Sequence, residues 1–268
     1  MRRIRYVEVS LACAVPVLAV FFSLEHWADF PAGRFLIFCP AVFLLCAHIF
    51  AFNDWAEPGP VEKSKVVFPL FLGLAALGLF FIIARSCFVI AAVIIALSLL
   101  YSGPALKYKA VPIVASLAHF FGAGLLFLLG YGLFHPLDRR ALPAGVYFSL
   151  LICAGHLVHE TKDYYRDRRL GLTTNAVKFG RGNTFRAAFV LFSLAAVYLM
   201  ALAFSGRIPF LWVYGGLSAY ILHVGFFRRT LAQDPGLENL RRFRRDYRLV
   251  YTACGVYMWL VLIWQIKK

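Results

Sequence analysis

Residues 159–180 read HETKDYYRDRRLGLTTNAVKFG and place three carboxylates, Glu160, Asp163 and Asp167, at the end of a strongly apolar run. Their spacing is i, i+3, i+7. At about 100° per residue, a helix brings the three within roughly 60° of one another. Lys162, Arg166 and Arg169 then project to the far side and Arg168 lies between, so the pattern predicts stacked acids unpaired with the neighbouring bases. Two carboxylates about 6 Å apart repel by roughly 3 kcal/mol at an effective dielectric near 20. A divalent cation held by oxygen ligands offsets that repulsion, and so does a Lys or Arg from another segment. A solvated helix end with charges on every side is the plain alternative.

The surroundings of the stretch bear on that choice. Hydrophobic residues make up 62% of the 268 and charged residues only 15%, with a mean hydropathy of +0.74. That excludes a soluble domain of average composition. Apolar runs of membrane-spanning length recur throughout, at roughly 7–24, 34–52, 66–84, 87–103, 111–131, 143–159, 184–204, 209–227 and 247–265. The first follows an Arg-rich start but lacks a small-residue cleavage site, and Pro16 interrupts it, so it is read as a span and not a signal peptide. The expectation is an all-α polytopic integral membrane protein, with about nine transmembrane helices in one bundle and a single domain over 1–268.

The net charge of +15 would suggest nucleic acid in a soluble chain. With the N-terminus cytoplasmic, however, 21 of the 28 Lys and Arg fall on the inner side. That asymmetry follows the positive-inside rule and needs no nucleic acid. It sets the C-terminus on the outer side, and the plasma membrane is the expected location. The six cysteines all lie in apolar runs without metal-ligand spacing and read as buried small apolar residues.

The long polar connections are all on the inner side. The second span ends in AFNDWAEPGP, where a continuing helix sets Asn53, Asp54 and Glu57 within about 100° of arc. Pro58, Gly59 and Pro60 then stop it, and a simple helix-end marker is the alternative. Facing the first acid group across a cytoplasm-facing polar cavity, these residues would complete a box of oxygens suited to Mg2+ shared with a phosphate ligand. YSGPALKYK follows span 4, and its Lys107 and Lys109 either neutralise a diphosphate or simply obey the positive-inside rule. Lys178 and Arg181 carry the same two readings. His156, one turn before Glu160, reads as a base or as a hydrogen-bonded bundle residue, and His119 likewise. The Arg cluster 241–249 reads as an amphipathic inner-surface helix touching anionic headgroups.

These motifs resemble those of the UbiA superfamily of intramembrane prenyltransferases. That family carries NDxxDxxxD after helix 2, DxxDxxxD after helix 6, and a Tyr- and Lys/Arg-containing loop after helix 4. The counterparts are Asn53-Asp54-Trp55-Ala56-Glu57, Glu160-Thr-Lys-Asp163-Tyr-Tyr-Arg-Asp167 and Tyr101-Ser-Gly-Pro104-Ala-Leu-Lys107. The second motif continues into DRRLGLTTNAVKFG, like the family's D-R-x-x-G-x-x-T-x-x-V-x-x-G extension. The resemblance implies Mg2+ held by Asp54, Glu57, Glu160, Asp163 and Asp167, with Asp54, Asp163 and Asp167 central to catalysis. It implies donor binding by Asn53, Tyr101, Lys107, Lys109, Arg168 and Lys178. The implied reaction is prenyl transfer from an isoprenoid diphosphate to a small, aromatic or lipophilic acceptor within the bilayer.

The chain departs from the pattern at several points. Glu57 is one methylene longer than Asp, Val61 holds the place of the third acid, Glu160 replaces the usual first Asp, and Cys46 stands where members often carry Arg. A terpene cyclase of the same fold is the nearest rival. A transport or non-catalytic protein is the other, although acids at one membrane edge differ from the midplane sites usual in transporters.

Overall fold

The structure is a computed structural model and describes residues 6–56, 66–103, 108–232 and 236–266. Among these, nine helices have 17 residues or more: α1 (Tyr6–Ser23), α2 (Ala32–Trp55), α3 (Val67–Ile83), α4 (Arg85–Ser102), α5 (Val114–Tyr131), α6 (Ala141–Arg169), α8 (Arg181–Phe204), α9 (Trp212–Ala232) and α10 (Leu237–Gln265). A short α7 (Asn175–Phe179) separates α6 from α8. Seven of the nine are long and apolar enough to cross a bilayer; α3, at 17 residues, and α9 are the other two. The expectation of an all-α polytopic membrane protein holds. Backbone polar groups in hydrocarbon must be satisfied within the segment, and a helix does that for every residue between its ends.

Two helices differ from their expected limits. α6 runs unbroken for 29 residues through the acid motif, and α10 joins the Arg cluster 241–249 to the last apolar run as one 29-residue helix. The basic segment is therefore not a separate surface helix.

By packing, the described chain divides into two compact units. The first comprises residues 1–109, 125–141 and 266–268, and the second 110–124 and 142–265. α5 is divided between them, residues 114–124 in the second and 125–131 in the first.

In the first unit, small residues and one buried histidine draw the helices together. His48 of α2 is fully buried; its Nδ1 donates to the Pro69 carbonyl of α3 at 2.7 Å, and its Nε2 pairs with Ser98 Oγ of α4 at 3.0 Å. Gly73 makes room for the ring, since a Cβ there would stand 2.9 Å from His48 Nδ1. Polar side chains bonded across helices join segments where lipid offers no hydrophobic driving force between them. α5 meets α1 at Gly130, where a Cβ would overlap the Pro16 carbonyl. Between α1 and α2 the rings of Phe21, Trp27, Phe30 and Phe35 pack together, and Arg140 bridges Asp138 at 3.1 Å and Glu25 at 3.3 Å.

The second unit packs α6 against α8, α9 and α10 through Ala154, Val158, Phe185, Phe192, Phe227 and Phe243. Gly215 and Gly216 of α9 sit so close to Tyr257 and Leu199 that a side chain at either would overlap them. Trp212 Nε1 donates to the Met258 carbonyl at 3.1 Å, and Tyr257 OH donates to the Leu211 carbonyl at 3.0 Å. Small residues allow this close approach, and aromatic groups then fill the remaining seams.

Candidate active site

The candidate site is built on the C-terminal end of α6. At about 1.5 Å per residue a 29-residue helix is about 43 Å long, some 13 Å more than the hydrocarbon core. The apolar run is by itself long enough to cross a bilayer, and Asp163 and Asp167 lie on the turns that exceed that length. The helix ends in a glycine cap. Gly171 adopts φ 66°, Gly171 N donates to the Arg168 carbonyl at 3.2 Å, and Leu172 N donates to the Asp167 carbonyl at 3.0 Å. This paired closure needs a left-handed residue, which glycine supplies without Cβ strain. It reverses the chain and returns Thr174 and Asn175 to the side of α6.

Asn175 there meets Glu160, which is 5% exposed. Glu160 Oε2 accepts from Asn175 Nδ2 at 2.9 Å and from Asn175 N, an open amide of the first turn of α7, at 3.1 Å. Glu160 Oε1 lies 3.2 Å from His156 Nε2, and the His156 ring stacks on His119 at 3.7 Å. Asn175 also donates to Ser116 Oγ at 3.1 Å and accepts from Ile113 N at 2.7 Å. Ile113 has φ 67°, a strained conformation for a β-branched residue, and the bond from its amide helps hold it there. A clasp therefore ties α6, α7 and the start of α5. Asn175 and Ser116 were not singled out from the sequence; their only signal was polarity, in TTN after a glycine and at the start of an apolar run.

Asp163 and Asp167 follow at one-turn spacing. Asp163 Oδ1 pairs with Lys162 Nζ at 2.9 Å and its Oδ2 lies 3.2 Å from His159 Nδ1. The expectation that the acids stand unpaired with neighbouring bases is thus corrected at Asp163: the flexible stem of Lys162 swings round the helix to the adjacent carboxylate. Burial, and then the charge of Asp163, push the Asp167 carboxyl up to about 6. Asp167 is therefore harder to ionise than an exposed carboxyl, while Asp163 keeps its lysine partner. Among the described residues no three His, Cys, Asp or Glu side chains converge into a cage. Two carboxylates fit Mg2+, which keeps waters and shares its remaining positions with phosphate oxygens.

The other expected residues fall as follows. In the first unit, Asn53 and Asp54 are half-buried in the last turn of α2, and Asn53 Oδ1 accepts from Ser102 Oγ at 3.1 Å. Tyr101 is half-buried at the end of α4, and Lys109 lies in the 3-10 turn Tyr108–Ala110. In the second unit, Arg168 is exposed with Nη1 donating to Tyr164 OH at 3.4 Å, and Lys178 is exposed beside the Phe179 ring at 5.7 Å. Arg181 donates to Tyr165 OH at 3.2 Å. Glu57 and Lys107 lie outside the described residues.

No curated protein sequence matches the chain. Solved structures do. A digeranylgeranylglyceryl phosphate synthase structure shares 17% identity at a TM-score of 0.73, over 97% of this chain and 96% of that one. A UbiA homologue from Archaeoglobus fulgidus bound to Cd2+ shares 14% identity at 0.73, over 95% and 96%. The same homologue bound to GPP and Mg2+ gives 0.72 at 14% identity over the same shares. At these identities the likeness is one of fold. The model of the UbiA prenyltransferase family matches residues 62–245, well over half of the sequence and including the whole acid motif of α6. The chain belongs to the UbiA prenyltransferase family.

Proposed function

We propose that this enzyme transfers a prenyl group from an isoprenoid diphosphate to a small lipophilic acceptor at the inner face of the membrane, with Mg2+ as cofactor. The observation that carries the reading is the Asp163–Asp167 pair on the overhang of α6, with Asp167 raised to about 6 by burial and by its neighbour's charge. The Archaeoglobus fulgidus homologue, whose structures hold GPP or DMAPP with Mg2+, supports the donor class.

When bound, Mg2+ neutralises the diphosphate and stabilises the charge that develops on the leaving oxygen. Asp163 and Asp167 are the residues of α6 that would hold it, and Asn53 and Asp54 are the candidates in the other motif. Lys162 pairs with the Asp163 carboxylate, and His159 Nδ1 stands 3.2 Å from its other oxygen. Glu160 takes a supporting role, since Asn175 occupies one of its oxygens and His156 stands against the other. Tyr101, Lys107, Lys109, Arg168 and Lys178 are assigned to the diphosphate, and Glu57 to the metal as a longer-armed substitute for Asp. Apolar side chains exclude water from the prenyl carbon as its bond to oxygen breaks. The N-terminus is placed in the cytoplasm, in the plasma membrane, with the C-terminus outside.

The test is to incubate the reconstituted protein with prenyl diphosphates of several lengths, Mg2+ and a panel of acceptors, with mass spectrometry of the lipophilic products. A prenylated acceptor formed with diphosphate supports transfer. Diphosphate released with a cyclised hydrocarbon and no acceptor product would assign a cyclase instead.

A further inference from the structure

We infer that Arg244 of α10 is a further residue binding the diphosphate, brought to the acid end of α6 by the packing of these two helices. α6 and α10 meet along one seam, where Ala154, Leu157 and Val158 share a buried cluster with Leu240, Phe243 and Tyr247. Its register is fixed at Gly155, where a Cβ would stand 3.4 Å from the Tyr247 hydroxyl. His159 follows Gly155 by one turn of α6, and Arg244 precedes Tyr247 by about one turn of α10. The two meet there: the charge of Arg244 acts on the His159 ring more strongly than that of Lys162, on the same helix as His159. The hydroxyl of the buried Tyr247 lies within hydrogen-bonding reach of Arg244 and steadies it from its own helix. Arg241, Arg242 and Arg245 of α10 are exposed, whereas Arg244 is half-buried.

This placement sets a permanent cation from a second helix beside the carboxylates of α6. Asp163 lies one turn beyond His159, whose Nδ1 is 3.2 Å from Asp163 Oδ2. Lys162 stands against the other oxygen of Asp163 at 2.9 Å, so Arg244 adds to the positive charge already at this end. A guanidinium keeps its proton at any physiological pH, and its planar fork meets two phosphate oxygens at once, which an ammonium does not. The positive-inside rule accounts for arginines anywhere on the start of α10. It does not account for a half-buried one on the face turned to the acid motif. The inference rests on the reading that the donor is an isoprenoid diphosphate.

The experiment measures binding without turnover, by microscale thermophoresis of the purified protein with Mg2+. The probes are geranyl S-thiolodiphosphate, whose bridging sulfur resists cleavage, and geraniol, which has the same chain and no phosphate. Arg244→Gln should bind the thiolodiphosphate at least about tenfold more weakly than the wild type and geraniol equally well. Arg244→Lys, which keeps the charge but not the fork, should fall between. Arg242→Gln, exposed on the opposite side of α10, should match the wild type. Equal weakening of both probes by Arg244→Gln would mark a structural role and overturn the inference. So would equal weakening of the thiolodiphosphate by Arg242→Gln, or none by Arg244→Gln. Should Arg244→Gln not fold, Arg244→Lys decides alone, and thiolodiphosphate binding at wild-type strength overturns the inference. A wild type that binds no thiolodiphosphate removes the donor reading itself; one that binds it as well as Arg244→Gln does removes only the role of Arg244.

Discussion

Asp167 decides between a metal-binding and an inert surface at the scale of one side chain. A carboxyl whose folded pKa is raised from 3.8 to about 6 weakens the fold when ionised. That penalty is absent below pH 4 and complete above pH 6. Asp167→Asn should therefore raise the metal-free Tm at pH 7.5 by about 2 °C, after discounting for solvent screening of a half-exposed group. The gap should close as the pH falls through 6, and activity should be lost in the same variant. A Tm lower than the wild type at pH 7.5 would show that the pair is already neutralised by protein groups. Asn175→Leu tests the clasp. It removes two donors, to Glu160 and Ser116, and the acceptor for the Ile113 amide, with Glu160 the buried partner, at a cost of about 2–3 kcal/mol, or roughly 4–12 °C in Tm. Combined with Glu160→Gln, the loss should be less than the sum of the single losses. Additive losses would mean that the two side chains are not coupled. The acid face was legible because helical periodicity fixes direction over one or two turns. The clasp was not, because it depends on the reversal at Gly171, which brings Asn175 back across 15 residues. The pairing of Lys162 with Asp163 ran against the helical wheel, which places Cα atoms but not the end of a four-carbon stem.

Helix contacts here turn on absent side chains as much as on present ones. Gly130→Ala places a methyl group against the backbone carbonyl of Pro16, which cannot rotate away. Gly122→Ala, about two turns earlier in the same helix, meets nothing within 4 Å. The first should lower Tm by an amount equivalent to about 1–3 kcal/mol, while the second should leave it unchanged or raised. Equal effects would show that α1 and α5 do not pack through this glycine. The sequence marked where most spans lie, because twenty apolar residues have few other uses. It read the acid end of α6 as helical but did not mark that the Arg cluster 241–249 runs into the last apolar run as one helix, since hydropathy falls there while helical propensity does not. Nor did it show His48 joining α2, α3 and α4, since its partners are a carbonyl and a serine far along the chain.

For the whole molecule, the charge asymmetry makes a statement about sidedness. α8 is 24 residues long and separates Asn183, expected inside, from Arg207, expected outside. In a background lacking the six native cysteines, Arg207→Cys should react with a membrane-impermeant maleimide added to intact cells, and Asn183→Cys only after lysis. The reverse pattern would invert the topology and place the acid motif outside. The central claim is that the carboxylates of α6 act on a diphosphate through Mg2+. Its most direct test is diphosphate release from a prenyl diphosphate by the reconstituted wild type and by Asp163→Asn, with Mg2+ and with chelator. The wild type should release diphosphate only with Mg2+, and the variant should fall at least about a hundredfold below it. Release by the variant at the wild-type rate, or release by the wild type in chelator, would contradict the account.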